Sequence, residues 1–326
     1  MGFTEEETAE FDSEETIDTL ASTIESLGHE LVRIGNIYEL TQRLAEGERW
    51  DLVFNIAEGL YGRSREAQIP ALLEAYNIPY TFSDPLTLAL CLDKEMAKRV
   101  VRDAGVPTAD FFVVRKEKEL DEIDSETLSF PLLAKPLHEG TGKGITKDSV
   151  IKSMETLQRQ VKRLLIKYNQ PVLVERFLSG REYTAGILGT GDRARVIGVL
   201  EVKLRKTAEP LVYSYINKEL CEEKVDYVLV RDKKTIKNVS DIALRAYQAL
   251  GCRDAGRVDL REDEKGNLYF LEMNPLAGLH PTHSDLPILC TKVGISYKTL
   301  IAEILDSACK RFKGNERVSI AAPSTC

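Results

Sequence analysis

GRVDLREDEKGNLYFLEMN, residues 256–274, holds two apolar strands around a short polar turn. Side chains in a strand alternate between faces, so Arg257 and Asp259 point one way, and Glu272 and Asn274 likewise share a face. Glu264, Lys265 and Gly266 suit the turn of a hairpin that would pair the two strands. Once paired, the four polar side chains can converge on one patch: two carboxylates, an amide oxygen and a guanidinium. Oxygen ligands of this kind suit Mg²⁺ holding nucleotide phosphates, with water completing the octahedron. A surface cluster of ion pairs is the plainer reading of the same residues. Against it stand the apolar neighbours Val258, Leu260, Phe270, Leu271 and Met273, because a buried acid without a cation is costly.

Upstream, HEGTGKGIT at 138–146 carries three glycines in five positions after the strand PLLAKP. Such a loop exposes backbone N–H groups and can fold over phosphates, although a plain turn is the commoner origin of a Gly-rich stretch. It is not a P-loop, since no Gly lies five residues before a Gly-Lys-Ser/Thr, and its spacing does not fit the dinucleotide fingerprint. Lys135 lies inside an apolar strand beside Leu132, Leu133, Ala134 and Pro136, where lysine rarely occurs without a partner. A phosphate is one such partner; water reached by a snorkelling side chain is the other. Lys94, Lys218 and Arg257 would add positive charge around a triphosphate. PVLVERFLSGREY at 171–183 reads as a linker strand between two lobes, and Glu175 and Glu182 flank its turn. Taken alone, both read as ordinary solvated carboxylates.

The first third alternates helix and strand. Ile17, Leu20, Ile24 and Leu27 recur at helical spacing over 14–27, and Gly28 stops that helix. A strand at Leu31–Ile34, a helix near 37–46, the run DLVFNI at 51–56, a helix near 66–76 and IPYT at 78–81 follow. Such βα units predict a parallel, doubly wound sheet, yet a helix stands at the start in place of the founding strand. From Pro85 the spacing predicts a helix at Lys94–Ala104, strands at 111–114 and 131–136, and a long helix around 148–168. Strands at 171–177, 181–188 and 195–204 come next. Residues 205–235 read as a long loop, and loops of that length inside a domain are usually functional. Helices at 238–250 and about 296–311 enclose the hairpin, and a tail runs to Cys326.

Composition narrows the partners. The 326 residues are 43% hydrophobic and 29% charged, as in soluble globular proteins, and suffice for two or three packed units. A formal net charge of −8 disfavours nucleic acid, whose binding relies on Lys and Arg at phosphates. No apolar run approaches a membrane span, and the acidic opening MGFTEEETAEFDSEE is unlike a signal peptide, so the expected compartment is the cytoplasm. The six cysteines form no C-x-x-C pair and read as free thiols, several of them buried. The four histidines show no triad arrangement that would support nucleophilic hydrolysis.

Lys94, LAKP with Lys135, HEG-x-x-x-G, VLVERFLSG-x-E, G-R-x-D and E-x-N follow one another in an order that resembles the D-alanine–D-alanine ligase branch of the ATP-grasp superfamily. The likeness covers about residues 50 to 305 and includes YGRSREAQIPALLEAYNIPYT. It implies an α/β and α+β chain: an incomplete Rossmann-like domain at 1–84, ATP-grasp lobes at 85–178 and 179–313 that clamp ATP, and a tail at 314–326. By that resemblance Lys94 and Lys135 hold ATP phosphates and the loop with Thr141 closes over them. Glu175, Arg176, Phe177 and Leu178 line the adenine pocket together with Leu271, and Glu182 binds the ribose. Lys218 reaches the γ-phosphate; Asp259, Glu272 and Asn274 ligate two Mg²⁺ ions, with Mn²⁺ as a substitute. Arg257 and the Gly278 backbone stabilise an oxyanion, and Ser284 meets the carboxylate of the second substrate. The implied chemistry activates one small amino acid as an acylphosphate and joins it to the amine of another. The implied assembly is a homodimer.

Three departures bear on the substrate. The family's Gly-rich first strand has no counterpart, Glu219 stands at an aromatic position, and Asp285 stands where an apolar residue is expected. The two acids would select a cationic or bulkier substrate, or else sit in solvent. Three readings remain open at this point: D-alanine–D-alanine ligase activity, ligation of other amino acids or a peptide, and a non-catalytic ATP-binding clamp.

Overall fold

Two antiparallel sheets organise the chain beyond residue 110 in the computed structural model, which describes residues 4–313. The tail at 314–326 lies outside the described residues. The first sheet has the order β1-β4-β2-β3, with β1 at Phe111–Val114, β2 at Leu132–Pro136, β3 at Val150–Ile151 and β4 at Val172–Arg176. The second runs β7-β6-β5-β8-β9, with β5 at Glu182–Leu188, β6 at Arg195–Leu204, β7 at Val225–Leu229, β8 at Ala255–Glu262 and β9 at Leu268–Asn274. Most of these strands are rich in β-branched and long apolar side chains that fit a half-buried pleated surface.

Each sheet is covered by a helix whose apolar stripe matches it. Met154–Tyr168 starts at a capping box of Ser153 and Thr156, and packs Leu157, Val161 and Leu164 onto Leu132, Ala134, Val172 and Val174. Lys233–Ala249 buries Val239, Ala243, Ala246 and Tyr247 against Ala185, Val258, Leu260 and Phe270. A shorter helix, Lys94–Asp103, adds Ala97 and Val101 to the same core and aims Lys98 toward the other sheet. It thereby ties the two sheets together.

The first third departs from the expected sheet. Helices form at Glu14–Ser26, Ile37–Ala45 and Gln68–Ala75, but residues 31–34 are not a strand. Parallel pairing between 51–56 and 78–81 is reduced to one bridge, Val53↔Tyr80. Strand propensity in both stretches is sound; what is missing is a neighbour. A cavity of about 2180 Å³ is lined by Leu31, Val32, Ile34, Leu52, Phe54 and Ile56. Among the described residues no strand fills it, so the backbone groups there have no ladder to join.

Residues 205–235 are also more ordered than a loop: short helices at Tyr215–Glu219 and Cys221–Lys224 precede β7. Gly189, just after β5, has φ +97°, and a Cβ there would approach the Arg193 carbonyl to 2.4 Å. Gly189→Ala is expected to destabilise the protein by at least ~1 kcal/mol, seen as a lower urea midpoint at unchanged slope.

Candidate active site

The cleft between the sheets holds about 70 Å³ and is lined by Lys94, Lys135, Glu175, Arg176, Phe177, Leu178, Glu182, Lys218, Asp259, Leu271 and Glu272. Eleven of the residues singled out from sequence therefore share one wall-to-wall space.

On the first sheet, β2 and β4 pair so that Leu133 faces Glu175 and Lys135 faces Leu173. Lys135 Nζ lies 2.8 Å from Glu175 Oε1, and Lys98 Nζ lies 2.8 Å from Glu175 Oε2. Glu175 is 2% exposed and Lys98 0%. Burial opposes ionisation of Glu175, but Lys135 and Lys98 outweigh it and bring its pKa to about 2. Glu175 is thus not a solvated carboxylate. Lys135 rests against a carboxylate, neither snorkelling into water nor waiting unpaired for phosphate. Glu182, across the linker, is held by Arg261 at 3.2 Å, and burial raises its pKa.

The hairpin forms in the expected register, with Arg257↔Asn274 and Asp259↔Glu272. Asp259 Oδ2 accepts from Arg257 Nη2 at 2.9 Å and from Asn274 Nδ2 at 3.2 Å. Its other oxygen, Oδ1, is buried and accepts nothing. Lys94 Nζ stands 3.8 Å from Glu272. Against burial, Lys94, Lys218 and Lys135 bring the Glu272 pKa to about 2, whereas burial pushes Asp259 up. Two carboxylates directly opposite on neighbouring strands repel, and an orphaned carboxylate oxygen inside the fold is an unmet acceptor. Both features fit a cation. Among the described residues no group of three or more His, Cys, Asp or Glu side chains is placed to hold a metal alone. Two carboxylates and an amide oxygen instead match Mg²⁺, which usually takes few protein ligands and shares the rest with phosphate and water.

Above the cleft, the Gly-rich loop turns through Thr141 at φ +47°, Gly142 at +75° and Gly144 at +76°. A Cβ on Gly142 would lie 3.0 Å from the Tyr215 backbone nitrogen, so the loop packs directly on the segment that carries Lys218. Thr141 Oγ1 is buried without a hydrogen-bond partner. Lys94 Nζ donates to the Glu139 carbonyl at the base of the loop.

The remaining candidates stand around the hairpin's far end. Gly278 is exposed, and a Cβ on it would meet Ser284 Oγ at 2.8 Å. Ser284 Oγ accepts the His280 N–H at 3.0 Å. Asp285 is 7% exposed and accepts from Arg257 Nη1, so it is not a solvated acid. Glu219 is exposed. Glu219→Ala is expected to leave the thermal midpoint within about 1 °C of the parent protein, since an exposed charge contributes little.

Three residues of the site escaped the sequence reading. Lys98 follows Lys94 by one helical turn, a spacing that marks a shared face. Arg261 continues the alternation of Arg257 and Asp259 along β8. Lys143 lines the cleft and pairs with Glu139 at 3.5 Å and Glu10 at 3.6 Å. Lys98 and Arg261 were readable from periodicity alone; the partners of Lys143 were not.

The family model for the D-ala D-ala ligase C-terminus matches residues 100–306. An uncharacterized protein of Sinorhizobium fredii is 35% identical over 271 residues, 81% of this chain and 76% of that one. The D-alanine–D-alanine ligase of Aquifex aeolicus is 32% identical over 286 residues, 88% of this chain and 92% of the relative. In fold, the crystal structure of D-alanine–D-alanine ligase from Bacillus anthracis complexed with ATP matches with a TM-score of 0.76 at 22% identity, covering 96% of both chains. Residues, fold and relatives agree: the chain belongs to the D-alanine–D-alanine ligase family and has its ATP-grasp architecture.

Proposed function

We propose that this chain is an ATP-dependent, ADP-forming ligase that joins the carboxylate of one small substrate to the amine of another. The observation that carries the reading is the orphaned, buried Asp259 oxygen beside Glu272, in the cleft that also holds Lys94 and Lys135. Residues 1–84 are read as the Rossmann-like part, and 85–178 and 179–313 as the two lobes. Bound ATP and Mg²⁺ would supply a transferable phosphoryl group and neutralise the charge that grows on its oxygens.

The chain's own residues do the positioning. Asp259, Glu272 and Asn274 would hold the metal, and Lys94, Lys135 and Lys218 would meet phosphate oxygens. A polyphosphate entering the cleft competes with Glu175 for Lys135, and Lys98 keeps Glu175 ionised and fixed while it does so. Glu175 to Leu178 and Leu271 provide the partly apolar wall expected for a nucleobase, with Glu182 for ribose hydroxyls. The loop with Thr141 would exclude water, which strengthens every electrostatic contact beneath it. Arg257 would stabilise the oxyanion as the amine attacks, assisted by the Gly278 backbone, while Ser284 and Asp285 face the amine-side substrate.

Among the described residues no helix is long and apolar enough to cross a membrane, and the described cysteines are free thiols, which supports a cytoplasmic setting. The test is a matrix of donor acids and acceptor amines assayed for ADP release with ATP and Mg²⁺, each product weighed by mass spectrometry. At least one pair is expected to accelerate ADP release and give a product of the summed mass minus water. ATP binding with no accelerating pair would sink the ligase reading in favour of a non-catalytic clamp.

A further inference from the structure

Lys143 is a buried cation of the cleft that the ligase reading leaves without a task. It stands between Gly142 and Gly144, both at positive φ, where the backbone is closely packed on either side. A Cβ on Gly144 would come within 2.6 Å of Pro136 Cγ, next to Lys135 at the end of β2. One on Gly142 would come within 3.0 Å of the Tyr215 nitrogen, in the short helix that carries Lys218. The loop is therefore seated between the elements that bear two of the phosphate lysines, and Lys143 lines the space they share. Its ammonium is held loosely there. Nζ lies 3.5 Å from Glu139 Oε2 and 3.6 Å from Glu10 Oε2, beyond the roughly 2.7–2.9 Å of a charge-assisted hydrogen bond. Both carboxylates are served elsewhere. Glu10 accepts from Arg65 Nη2 at 2.9 Å and from the Gly140 N–H at 2.7 Å, and Glu139 Oε1 accepts from Gln170 Nε2 at 2.7 Å. Burial opposes ionisation of Glu10, but Arg65 and Lys143 outweigh it and lower its pKa.

A lysine at this depth ordinarily has a close partner. Lys135 must leave a 2.8 Å contact with Glu175 to reach a phosphate, whereas Lys143 leaves only two long contacts and strands neither carboxylate. A polyanion in the cleft is the partner from which this ammonium gains most. Because Gly142 packs on the helix of Lys218, the phosphates that Lys218 meets are the ones nearest to Lys143. We propose that Lys143 is a further phosphate-contacting residue, whose ammonium passes from Glu10 and Glu139 to the terminal phosphates when the nucleotide binds. This rests on the reading of the cleft as a triphosphate site. Glu10 is the resting partner in the empty cleft, and Arg65 and the Gly140 N–H keep it in place after the ammonium has moved.

Calorimetric titration with ATP and with AMP, both in Mg²⁺, tests this without turnover. Lys143→Met is expected to weaken ATP binding by about tenfold or more in Kd and AMP binding by less than about twofold, because a hydrogen bond to a charged group is lost only where terminal phosphates are present. Lys143→Gln is expected to do the same, and thermal midpoints confirm that each variant is folded. Glu10→Gln removes the resting partner and keeps the ammonium, so the preference for ATP over AMP is expected to hold or rise. Equal losses for ATP and AMP, an unchanged preference in both Lys143 variants, or a fall in Glu10→Gln as large as in Lys143→Met overturns the proposal while the ligase reading stands. Absence of ATP binding to the parent protein overturns both.

Discussion

Glu272→Gln and Asp259→Asn are each expected to slow ADP release by at least ~10²-fold, or ~2.7 kcal/mol of barrier. The two side chains face each other across β8 and β9. Either substitution keeps the shape and removes one negative charge from a pair that repels itself in the absence of a cation. For Asp259→Asn, whose charge burial already disfavours, folding stability is therefore expected to hold or rise while turnover falls. Glu272→Gln instead loses a charge that Lys94, Lys218 and Lys135 stabilise and is expected to lose stability as well. In Asp259→Asn the opposition separates a metal-binding role from a structural one, because a structural ion pair would lose both together. The two variants should also differ. Glu272 is offset by Lys94, Lys218 and Lys135, so its loss releases lysine charge into the cleft and is expected to weaken Mg²⁺ dependence while sparing ATP affinity. Loss of the Asp259 charge frees Arg257 from one of its two partners and is expected to alter acceptor KM as well. Near-normal ADP release from either variant at saturating Mg²⁺ would remove that residue from the metal site.

The hairpin was legible because its information is local. Alternation along β8 and β9, joined by a short polar turn, places Arg257, Asp259, Glu272 and Asn274 without any knowledge of the rest. Motif order identified the cleft residues for the same reason. What the sequence did not reveal were contacts between distant elements. Glu175 looked solvated because its lysines come from β2 and from the helix at Lys94–Asp103, neither adjacent in the chain. Asp285 stayed open between a substrate-selecting and a solvated acid because its partner lies 28 residues away. The edge strand β7 read as loop since Asp226 interrupts its apolar run, as charges on edge strands commonly do. Leu31–Ile34 erred in the opposite direction: strand propensity was present, but a parallel strand needs neighbours on its hydrogen-bonding edges, and an open cavity stands there instead.

Glu175→Gln is expected to destabilise the fold by roughly 3–5 kcal/mol, because it strips the counter-charge from buried lysines. Lys98 is 0% exposed and has no other carboxylate within ion-pair distance among the described residues. For a protein of this size the thermal midpoint should fall by roughly 6 °C or more. Burial already lowers the Lys98 pKa even with Glu175 beside it, so the variant can relieve part of the penalty by releasing the Lys98 proton. That relief favours the lower end of the range at neutral pH and makes the loss larger in acid, until the parent protein's own advantage fades. The sign follows from the direction of the shift. Glu175 titrates near 2 when folded against 4.5 as an unperturbed group, so its contribution is complete above about 4.5 and disappears as the pH drops toward 2. The gap between parent and variant should therefore close across that window. Adding Lys98→Met to Glu175→Gln should recover much of the stability, since the second change removes the stranded charge and fills the space with an apolar chain. A single Glu175→Gln variant that melts within 1 °C of the parent at pH 7 would show that Lys98 and Lys135 do not depend on Glu175. Failure of Lys98→Met to rescue would show that the stranded Lys98 charge is not the source of the loss, leaving Lys135 or the packing around β4.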